Sequence, residues 1–410
     1  MNFIIRTLML VLIVSSCLEQ AVSAMQLESI ICKDMSNEQL ILGIKDLPHE
    51  LKQYIVFLVL SDFLGFEFVL FRTIDLDYVP QSLAFSPDGK TCAIGLMNNN
   101  AYVYNLNTGQ LVTAFKDHRA DINAVDFSPQ GERVLSGSQD GTACIWNSST
   151  GELITRFRGH TKCVDSVAFS PYGERCISGS ADKKAYIWDS KTGEILATLE
   201  HNHRVSAVAF SPDGERVLTG SKDRTACVWN STTGALIAAF TRHNDAIGLA
   251  AFSANGERCL TGSDDKTACV WDSKTGKVLK TFMRHNEGIL SGAFNSDGKL
   301  CITGSLDHAI CMWDSTTGEM VKTFNGHGCS ITSVAFSPDE ECIITGQLVL
   351  HAVSVWKKKY GFNCLTEERK KRAFKQFMTL YPLVQILSDP SSTLSDTTTV
   401  DTSNEDTPND

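Results

Sequence analysis

The chain has 410 residues, of which 43% are hydrophobic and 20% charged, and its formal net charge is −10. This hydrophobic content can fill a core, which excludes a largely disordered protein. The chain has no apolar run of about 20 residues, and the mean hydropathy is −0.07, so a polytopic membrane protein is excluded. Acidic residues outnumber basic ones, 47 to 37, which argues against broad nucleic-acid binding.

The first 24 residues have the layout of an export signal. Arg6 precedes an apolar stretch from Leu8 to Val14, and Ala24 ends a suitable cleavage site. The segment ending at Cys17 resembles a bacterial lipobox, so lipidation at Cys17 is an alternative to cleavage. We therefore predict a signal peptide at residues 1–24 and a secreted, periplasmic or lipid-anchored protein. A cytoplasmic protein is the alternative.

One motif recurs along the middle of the chain. Residues 214–229 read GERVLTGSKDRTACVW, and residues 256–271 read GERCLTGSDDKTACVW. Seven copies end in an aromatic residue, at steps of 42, 42, 41, 42, 42 and 43 residues: Tyr104, Trp146, Trp188, Trp229, Trp271, Trp313 and Trp356. This period, with short β-rich segments in each copy, is typical of a propeller.

The repeat count also predicts how the ring closes. Six copies continue into a fourth strand, and these strands begin near Gln110, Glu152, Glu194, Ala235, Lys277 and Glu319. The segment Phe66–Ile74 lies before the first copy and supplies the missing fourth strand of the last blade. We therefore predict an all-β fold: a seven-bladed propeller of four-stranded blades over residues 66–357, closed by an N-terminal strand, because closure removes exposed sheet edges.

The ends of the repeats resemble the WD-repeat family. Six histidines stand nine residues before a Phe, and Trp-Asp follows at Trp188, Trp271 and Trp313. In that family a His, a Ser or Thr, an Asp and a Trp form a structural hydrogen-bond tetrad in each blade. The resemblance implies five such tetrads here: His118, Ser136, Asp140 and Trp146; His160, Ser178, Asp182 and Trp188; His201, Thr219, Asp223 and Trp229; His243, Thr261, Asp265 and Trp271; His285, Thr303, Asp307 and Trp313.

The first and last blades depart from this pattern. Blade one has Leu76, Ile94 and Tyr104 in place of His, Ser or Thr, and Trp. Blade seven keeps His327, Thr345 and Trp356 but has Val349 or Leu350 where Asp is expected. We expect these terminal blades to be the least rigid.

The histidines and aspartates do not indicate catalysis. Each occurs once per blade, so the copies lie far apart around the ring and do not converge on one ion. The sequence holds no HExxH, CxxC or GxxxxGK[ST] motif. We predict no catalytic residue, no metal site and no cofactor.

Nine of the 14 cysteines fall at two repeat positions that Val or Tyr occupies elsewhere, which indicates buried free thiols. They are Cys92, Cys176, Cys259, Cys301 and Cys342 in the second strand, and Cys144, Cys227, Cys269 and Cys311 before the aromatic residue. The hairpin of the second and third strands would bring Cys259 near Cys269 and Cys301 near Cys311. A redox-labile pair there is the alternative.

Functional residues are sought where the repeats differ. The second residue of each inner strand varies freely: Gln81, Asn123, Asp165, Ser206, Gly248, Leu290 and Thr332. The WD-repeat resemblance implies that this position faces the mouth of the central channel, where peptides dock. Residues just before the turn Asp lie close by: Gln139, Lys222, Asp264 and Leu306. Varied side chains on a rigid ring favour recognition of a peptide or protein surface.

Both flanks are predicted to be helical. Within residues 25–65, Ser36 to Gln39 form a capping box, and the string DLPHELKQYIVFLV resembles the start of an F-box. A helical pair that packs on the propeller is the alternative. Residues 358–387 form a basic helical extension, and residues 388–410, with six acidic and no basic side chains, a disordered tail.

We therefore predict a non-enzymatic scaffold that binds a protein or peptide client on one face, as a monomer or within a hetero-complex. The mature chain would have no transmembrane span and no nucleic-acid partner. The first alternative is an F-box-like substrate receptor that recruits a ubiquitin ligase adaptor through residues 35–65. The second is an enzyme that uses the channel, for which Asp165 is the one acid among the inner-strand positions.

Overall fold

The computed structural model describes residues 66–324, 329–348 and 351–360. The predicted signal peptide, the helical segment at 25–65, nearly all of the basic extension and the acidic tail lie outside these residues, as do His327, Val349 and Leu350. Residues Phe68–Lys358 form one compact unit. Within the described ranges, no helix has the length and apolarity needed to cross a membrane.

The described residues form seven four-stranded sheets; in six of them the strands follow chain order, and the last sheet takes the first strand of the chain as its fourth. Consecutive strands within a blade pair antiparallel. The innermost strands run along the channel. They are β2 (Pro80–Phe85), β6 (Ile122–Phe127), β10 (Val164–Phe169), β14 (Val205–Phe210), β18 (Ile247–Phe252), β22 (Ile289–Phe294) and β26 (Ile331–Phe336).

The second strands are buried along nearly their whole length, as their runs of Ile, Leu, Val and Cys require. They are β3 (Thr91–Leu96), β7 (Arg133–Ser138), β11 (Arg175–Ser180), β15 (Arg216–Ser221), β19 (Arg258–Ser263), β23 (Leu300–Ser305) and β27 (Cys342–Gln347). The third strands carry the repeated aromatic residue. They are β4 (Ala101–Asn105), β8 (Ala143–Asn147), β12 (Lys184–Asp189), β16 (Ala226–Asn230), β20 (Ala268–Asp272), β24 (Ile310–Asp314) and β28 (Ala352–Tyr360).

The fourth strands lie at the outside of the blades. They are β5 (Leu111–Phe115), β9 (Leu153–Phe157), β13 (Ile195–Glu200), β17 (Leu236–Phe240), β21 (Val278–Phe282), β25 (Met320–Phe324) and, for the last blade, β1 (Phe66–Asp75). Strand β1 pairs with β28, so the predicted seven-bladed ring and its closure by the N-terminal strand are confirmed. Phe68 and Ile74 of β1 are buried.

The core lies between the blades. The last Phe of a fourth strand stacks on the Trp of the next blade, as Phe157 does on Trp188 with the ring centroids 4.8 Å apart. The same stacking joins Phe115 to Trp146 and Phe282 to Trp313. Because each blade buries its faces against its neighbours, the ring is stabilised by the contacts that its period repeats.

The strand register separates the cysteines of the alternative pairing. Cys259 lies opposite Trp271, and Cys269 lies opposite Thr261, so the two thiols are offset by two residues along the hairpin. Cys301 and Cys311 are offset in the same way. The described cysteines are free thiols, and burial raises the pKa of Cys311 to about 11 and that of Cys92 to about 12. The hypothesis of facing cysteine pairs was therefore wrong.

Candidate functional site at the channel mouth

The antiparallel blades give the ring two faces. Each inner strand begins at one face, which also carries the turns between second and third strands; we call it the mouth face. The opposite face carries the turns between first and second strands, such as the one at Tyr172, and those between third and fourth strands.

A β-bulge occurs at the mouth end of every inner strand. In β6 the pairing with β7 skips from Ile122 to Ala124, so Asn123 is the extra residue. The skipped residues of the other blades are Gln81, Asp165, Ser206, Gly248, Leu290 and Thr332. A bulge turns one side chain out of the regular pleat. All seven inner-strand positions therefore share one local geometry at the mouth.

Three of these seven side chains hold neighbouring blades together. The Asn123 amide donates a hydrogen bond to the carbonyl of Val164 at 3.0 Å, and the Thr332 hydroxyl donates one to the carbonyl of Pro80 at 2.8 Å. Ser206 bonds in the same way to the carbonyl of Ile247. These side chains have a structural role, which the sequence alone did not separate from a binding role.

A charged cluster occupies blades three to five. Arg204 pairs with Asp165 through two hydrogen bonds, and Lys222 and Asp264 lie beside them. Burial raises the pKa of Asp165 above its usual range, against the opposing effects of Arg204 and Lys222. Burial likewise raises the pKa of Asp264, and Lys222 opposes this. Arg204 was not predicted from the sequence, because it precedes an inner strand at a position with no repeated residue type.

These side chains line a cavity of about 290 Å³ at the mouth. Its wall includes Gln81, Lys222, Asp264 and Leu290, whose side chains make no hydrogen bond or ion pair in the described part of the chain. Gly248 also lines the cavity, and its lack of a side chain leaves room beside Leu290. A larger space of about 590 Å³ continues along the inner strands. The mouth therefore offers charged, polar and apolar groups to a binding partner.

The rim of the mouth is equally regular. We define the rim as the residues that each donate a backbone N–H to the carbonyl preceding an inner strand: Met97, Gln139, Ala181, Lys222, Asp264, Leu306 and Leu348. Leu306 and Met97 are 36% and 40% exposed, and Leu348 and Leu290 are half-buried. Blades six, seven and one thus give the mouth an apolar sector.

Asp126 is a second acidic residue on the channel wall that the sequence analysis missed. It lines the larger space together with Asp165, and its carboxylate accepts a hydrogen bond from the Phe169 N–H at 2.7 Å. Burial raises its pKa to about 7. The signal was available in the repeat, because the other blades have Ala at this position, as at Ala84 and Ala168.

The tetrad side chains lie within the blades, away from this cavity. In blade three, His160 Nδ1 is 2.9 Å from Asp182 Oδ2 and its Nε2 is 2.8 Å from Ser178 Oγ. The Trp188 indole N–H donates to the same Ser178 hydroxyl at 3.2 Å. Three further blades show the same chain of bonds through His201, Thr219, Asp223 and Trp229, through His243, Thr261, Asp265 and Trp271, and through His285, Thr303, Asp307 and Trp313.

Blade two departs from this arrangement. His118 contacts Asp140 and Ser136 at 3.1 and 2.8 Å, but the buried indole nitrogen of Trp146 has no hydrogen-bond partner among the described residues. Trp146 is therefore not part of a continuous chain. Trp356 of blade seven bonds Thr345 at 3.2 Å. In the described ranges, no group of three or more His, Cys, Asp or Glu side chains is arranged to hold a metal ion.

Two family models match the chain. The model described as IFT122 first beta-propeller matches residues 163–361, and the model described as WD domain, G-beta repeat matches residues 109–147. Together with the seven blades, they support a WD-repeat propeller. No curated protein matches the chain. WD-repeat propellers are generally non-catalytic scaffolds, and the fold is typical of protein–protein interaction.

Proposed function

We propose that this WD-repeat propeller is a non-catalytic scaffold that binds a peptide segment of a client protein across the channel mouth. The observation that carries the proposal is the bulge shared by all seven inner strands. It presents one side chain per blade at the mouth, and those side chains differ in chemistry while the surrounding scaffold repeats. Variation on a rigid scaffold favours recognition.

The arrangement of Asp165 supports binding over catalysis. Its carboxylate accepts hydrogen bonds from both Nε and Nη2 of Arg204, so it is not positioned as a general acid or base. An enzyme in the channel would need a second catalytic group close to Asp165. Asp126 does not supply it, because its carboxylate accepts a hydrogen bond from the Phe169 N–H. The F-box-like receptor stays a hypothesis about residues 35–65, which lie outside the described residues.

The proposal is tested with the full chain and a displayed library of random peptides. Selected peptides are measured against Leu290→Ala and Lys222→Ala, because neither side chain makes a hydrogen bond or ion pair within the described structure. We expect each variant to weaken binding about tenfold, the effect of a loss of about 1.4 kcal/mol in binding free energy.

The matched control is Tyr172→Ala. Tyr172 is 70% exposed on the opposite face, so its removal should leave both folding and peptide affinity unchanged. Equal thermal unfolding midpoints would show that the mouth variants remain folded. Peptides that bind all of these variants as tightly as the wild type would contradict the proposal.

Export through residues 1–24 is a separate proposal. We expect the intact mass of protein recovered from its native cell to begin at Met25, or at a lipidated Cys17. An uncleaved chain in the cytosol would contradict export and would agree with the reduced thiols of the strands.

A further inference from the structure

The turns of the mouth face use residues other than glycine where the backbone favours glycine. In the six turns that the structure describes in full, the third residue, counted from the rim residue, has a positive φ. These residues are Asn99 (φ 66°), Gly141 (82°), Lys183 (76°), Arg224 (72°), Lys266 (72°) and His308 (69°). The left-handed region costs free energy for side chains other than Gly and, to a lesser degree, Asn. Blades three to six nevertheless have a basic residue at this position of positive φ.

In its described turns the opposite face has glycine at nearly all positions of positive φ, and Glu340 (φ 59°) is the exception. Gly193 and Gly234 have φ of 75° and 70°, and an added Cβ would meet no atom nearer than 3.6 Å at either position. Crowding therefore does not explain glycine at these two positions; the backbone conformation does. Strained residues persist where the side chain serves a function. In blades three to five that side chain is a Lys or Arg cation.

These cations are poorly neutralised by the propeller itself. We call Lys183, Arg224 and Lys266 the basic arc; all three are exposed. Lys183 has no side-chain partner in the described ranges, and Arg224 donates only to the Asn244 carbonyl, at 3.5 Å. Lys266 Nζ is 3.6 Å from a Glu287 carboxylate, and an exposed pair of this kind contributes little.

The carboxylates around the basic arc are mostly paired elsewhere. Asp165 is held by Arg204, and Glu200 lies 3.4 Å from Lys184. Of the two rim charges in blades four and five, Lys222 adds to the basic arc and Asp264 opposes it. Lys183 and Arg224 therefore have no carboxylate within ion-pair distance in the described ranges. Each basic-arc residue directly follows a tetrad aspartate whose pKa is lowered, namely Asp182, Asp223 or Asp265.

The apolar sector of the rim lies around the other side of the mouth. Leu306 and Met97 are exposed there, and Leu290 lines the cavity between them and the charged cluster. A segment that crosses the mouth would meet cations at blades three to five and apolar side chains at blades six, seven and one.

We propose that the client segment is acidic and carries at least one large apolar residue. The acidic part binds the basic arc, and the apolar residue packs against Leu290, Leu306 and Met97. This inference rests on the proposed function, since it names the chemistry of the client at the same mouth. Complementary charge sets the orientation of the segment and its rate of association.

The experiment uses the peptides selected on the full chain. We expect the sequences that need Leu290 to be rich in Glu and Asp. The triple variant Lys183→Gly, Arg224→Gly and Lys266→Gly should weaken their binding at least tenfold. Glycine relieves the left-handed backbone, so the thermal unfolding midpoint should stay unchanged or rise, and lost binding cannot be attributed to unfolding.

The control removes three charges from the opposite face, through Lys191→Ala, Lys274→Ala and Lys277→Ala, and should leave affinity unchanged. Raising the ionic strength from about 0.01 to about 0.15 M shortens the screening length from about 30 to about 8 Å and should weaken the acidic peptides.

The outcomes separate the two proposals. The selection could yield neutral or basic peptides whose affinity falls in Leu290→Ala but not in the triple variant of the basic arc. That result would overturn the proposal of an acidic client and leave the proposed function intact. A selection that yields no peptide dependent on Leu290 or Lys222 would overturn both.

Discussion

At the scale of single residues, each complete tetrad is a chain of donors and acceptors that satisfies buried polar groups. The Trp indole donates to a hydroxyl, the hydroxyl to His Nε2, and His Nδ1–H to an Asp. Burial lowers the pKa of His160, against the opposing effect of Asp182, so the neutral ring that this chain needs is favoured. Burial raises the pKa of Asp182, but its hydrogen bond from His160 and two backbone donors more than offset this.

Blades two and three offer a matched pair to test the chain. Ser178→Ala would leave the buried indole N–H of Trp188 without a hydrogen-bond acceptor. Ser136→Ala removes no acceptor from an indole, because Trp146 has no hydrogen-bond partner in the described structure. We expect Ser178→Ala to lower the free energy of unfolding by about 1–2 kcal/mol more than Ser136→Ala does. Urea unfolding of both variants measures the difference, and equal losses would contradict the account.

Asp126 predicts an unusual dependence on pH. Its pKa is about 7 in the folded chain and near 3.9 when unfolded, so the folded state holds a proton that the unfolded state has lost between these values. Its contribution to stability is full below about pH 4 and declines as the pH rises to about 7. Asp126→Ala, which installs the residue of the other blades, should remove this decline.

The measurement is the difference in unfolding free energy between wild type and Asp126→Ala at pH 5 and pH 8. Other titrating groups contribute to both proteins and cancel. From pH 5 to pH 8 we expect the free energy of unfolding of the variant to rise by on the order of 1–2 kcal/mol relative to that of the wild type. This figure allows for the half-buried side chain of Asp126. A difference that is independent of pH would show that Asp126 is ionised in the folded protein throughout.

At the scale of elements, four arginines fasten blades two to six to one another. Arg175, at the start of β11, donates to the Gly214 carbonyl at 2.8 Å and to Ser231 at 3.1 Å in the next blade, and stacks over Phe210. Arg133 and Arg258 repeat these contacts. Arg216 repeats the bond to a serine and the contact with a Phe ring, and its other bond goes to Asp213. The last two blades and the first have Leu300, Cys342 and Thr91 in this position. The register therefore places Cys342 one residue before the position of Cys92 and Cys301, and its assignment to that position from the sequence was wrong.

We expect Arg175→Met to lower the free energy of unfolding by about 2–3 kcal/mol. Methionine keeps the apolar stem but loses the charged hydrogen bonds to the neighbouring blade. The control, Leu300→Met, changes the same position in a blade without the arginine and should cost less than about 1.5 kcal/mol. Equal effects of the two variants in urea unfolding would contradict a fastening role for Arg175.

At the scale of the whole molecule, the sequence predicts the ring well and the mouth only in part. Each blade is one repeat, so the period alone gives seven sheets, and the unmatched fourth strand identifies Phe66–Ile74 as the closing segment. The salt bridge of Asp165 with Arg204 joins residues of different blades, and such contacts depend on how blades stack. The same limit applies to Asn123 and Thr332, whose bonds to neighbouring carbonyls give them a structural role.

Strand register was the other feature that could not be predicted from the sequence. A shift of two residues separates Cys259 from Cys269, and no repeat position shows that shift. The inner-strand bulge is likewise invisible in the residue types, although it defines the candidate site. Asp126 and the basic residues with positive φ show what the repeat does reveal. Asp126 stands out once the blades are aligned, because its six counterparts are Ala, and the basic residues of blades three to six stand where blades one and two have Asn99 and Gly141.

The central claim is that the mouth face binds the client, and a crosslinking map tests it most directly. A selected peptide with a photoactivated group beside its apolar residue is bound to the full chain, and the crosslinked residues are identified by mass spectrometry. The account predicts crosslinks at the apolar sector around Leu290, Leu306 and Met97. Crosslinks confined to the opposite face around Tyr172, or to the outer strands, would contradict it.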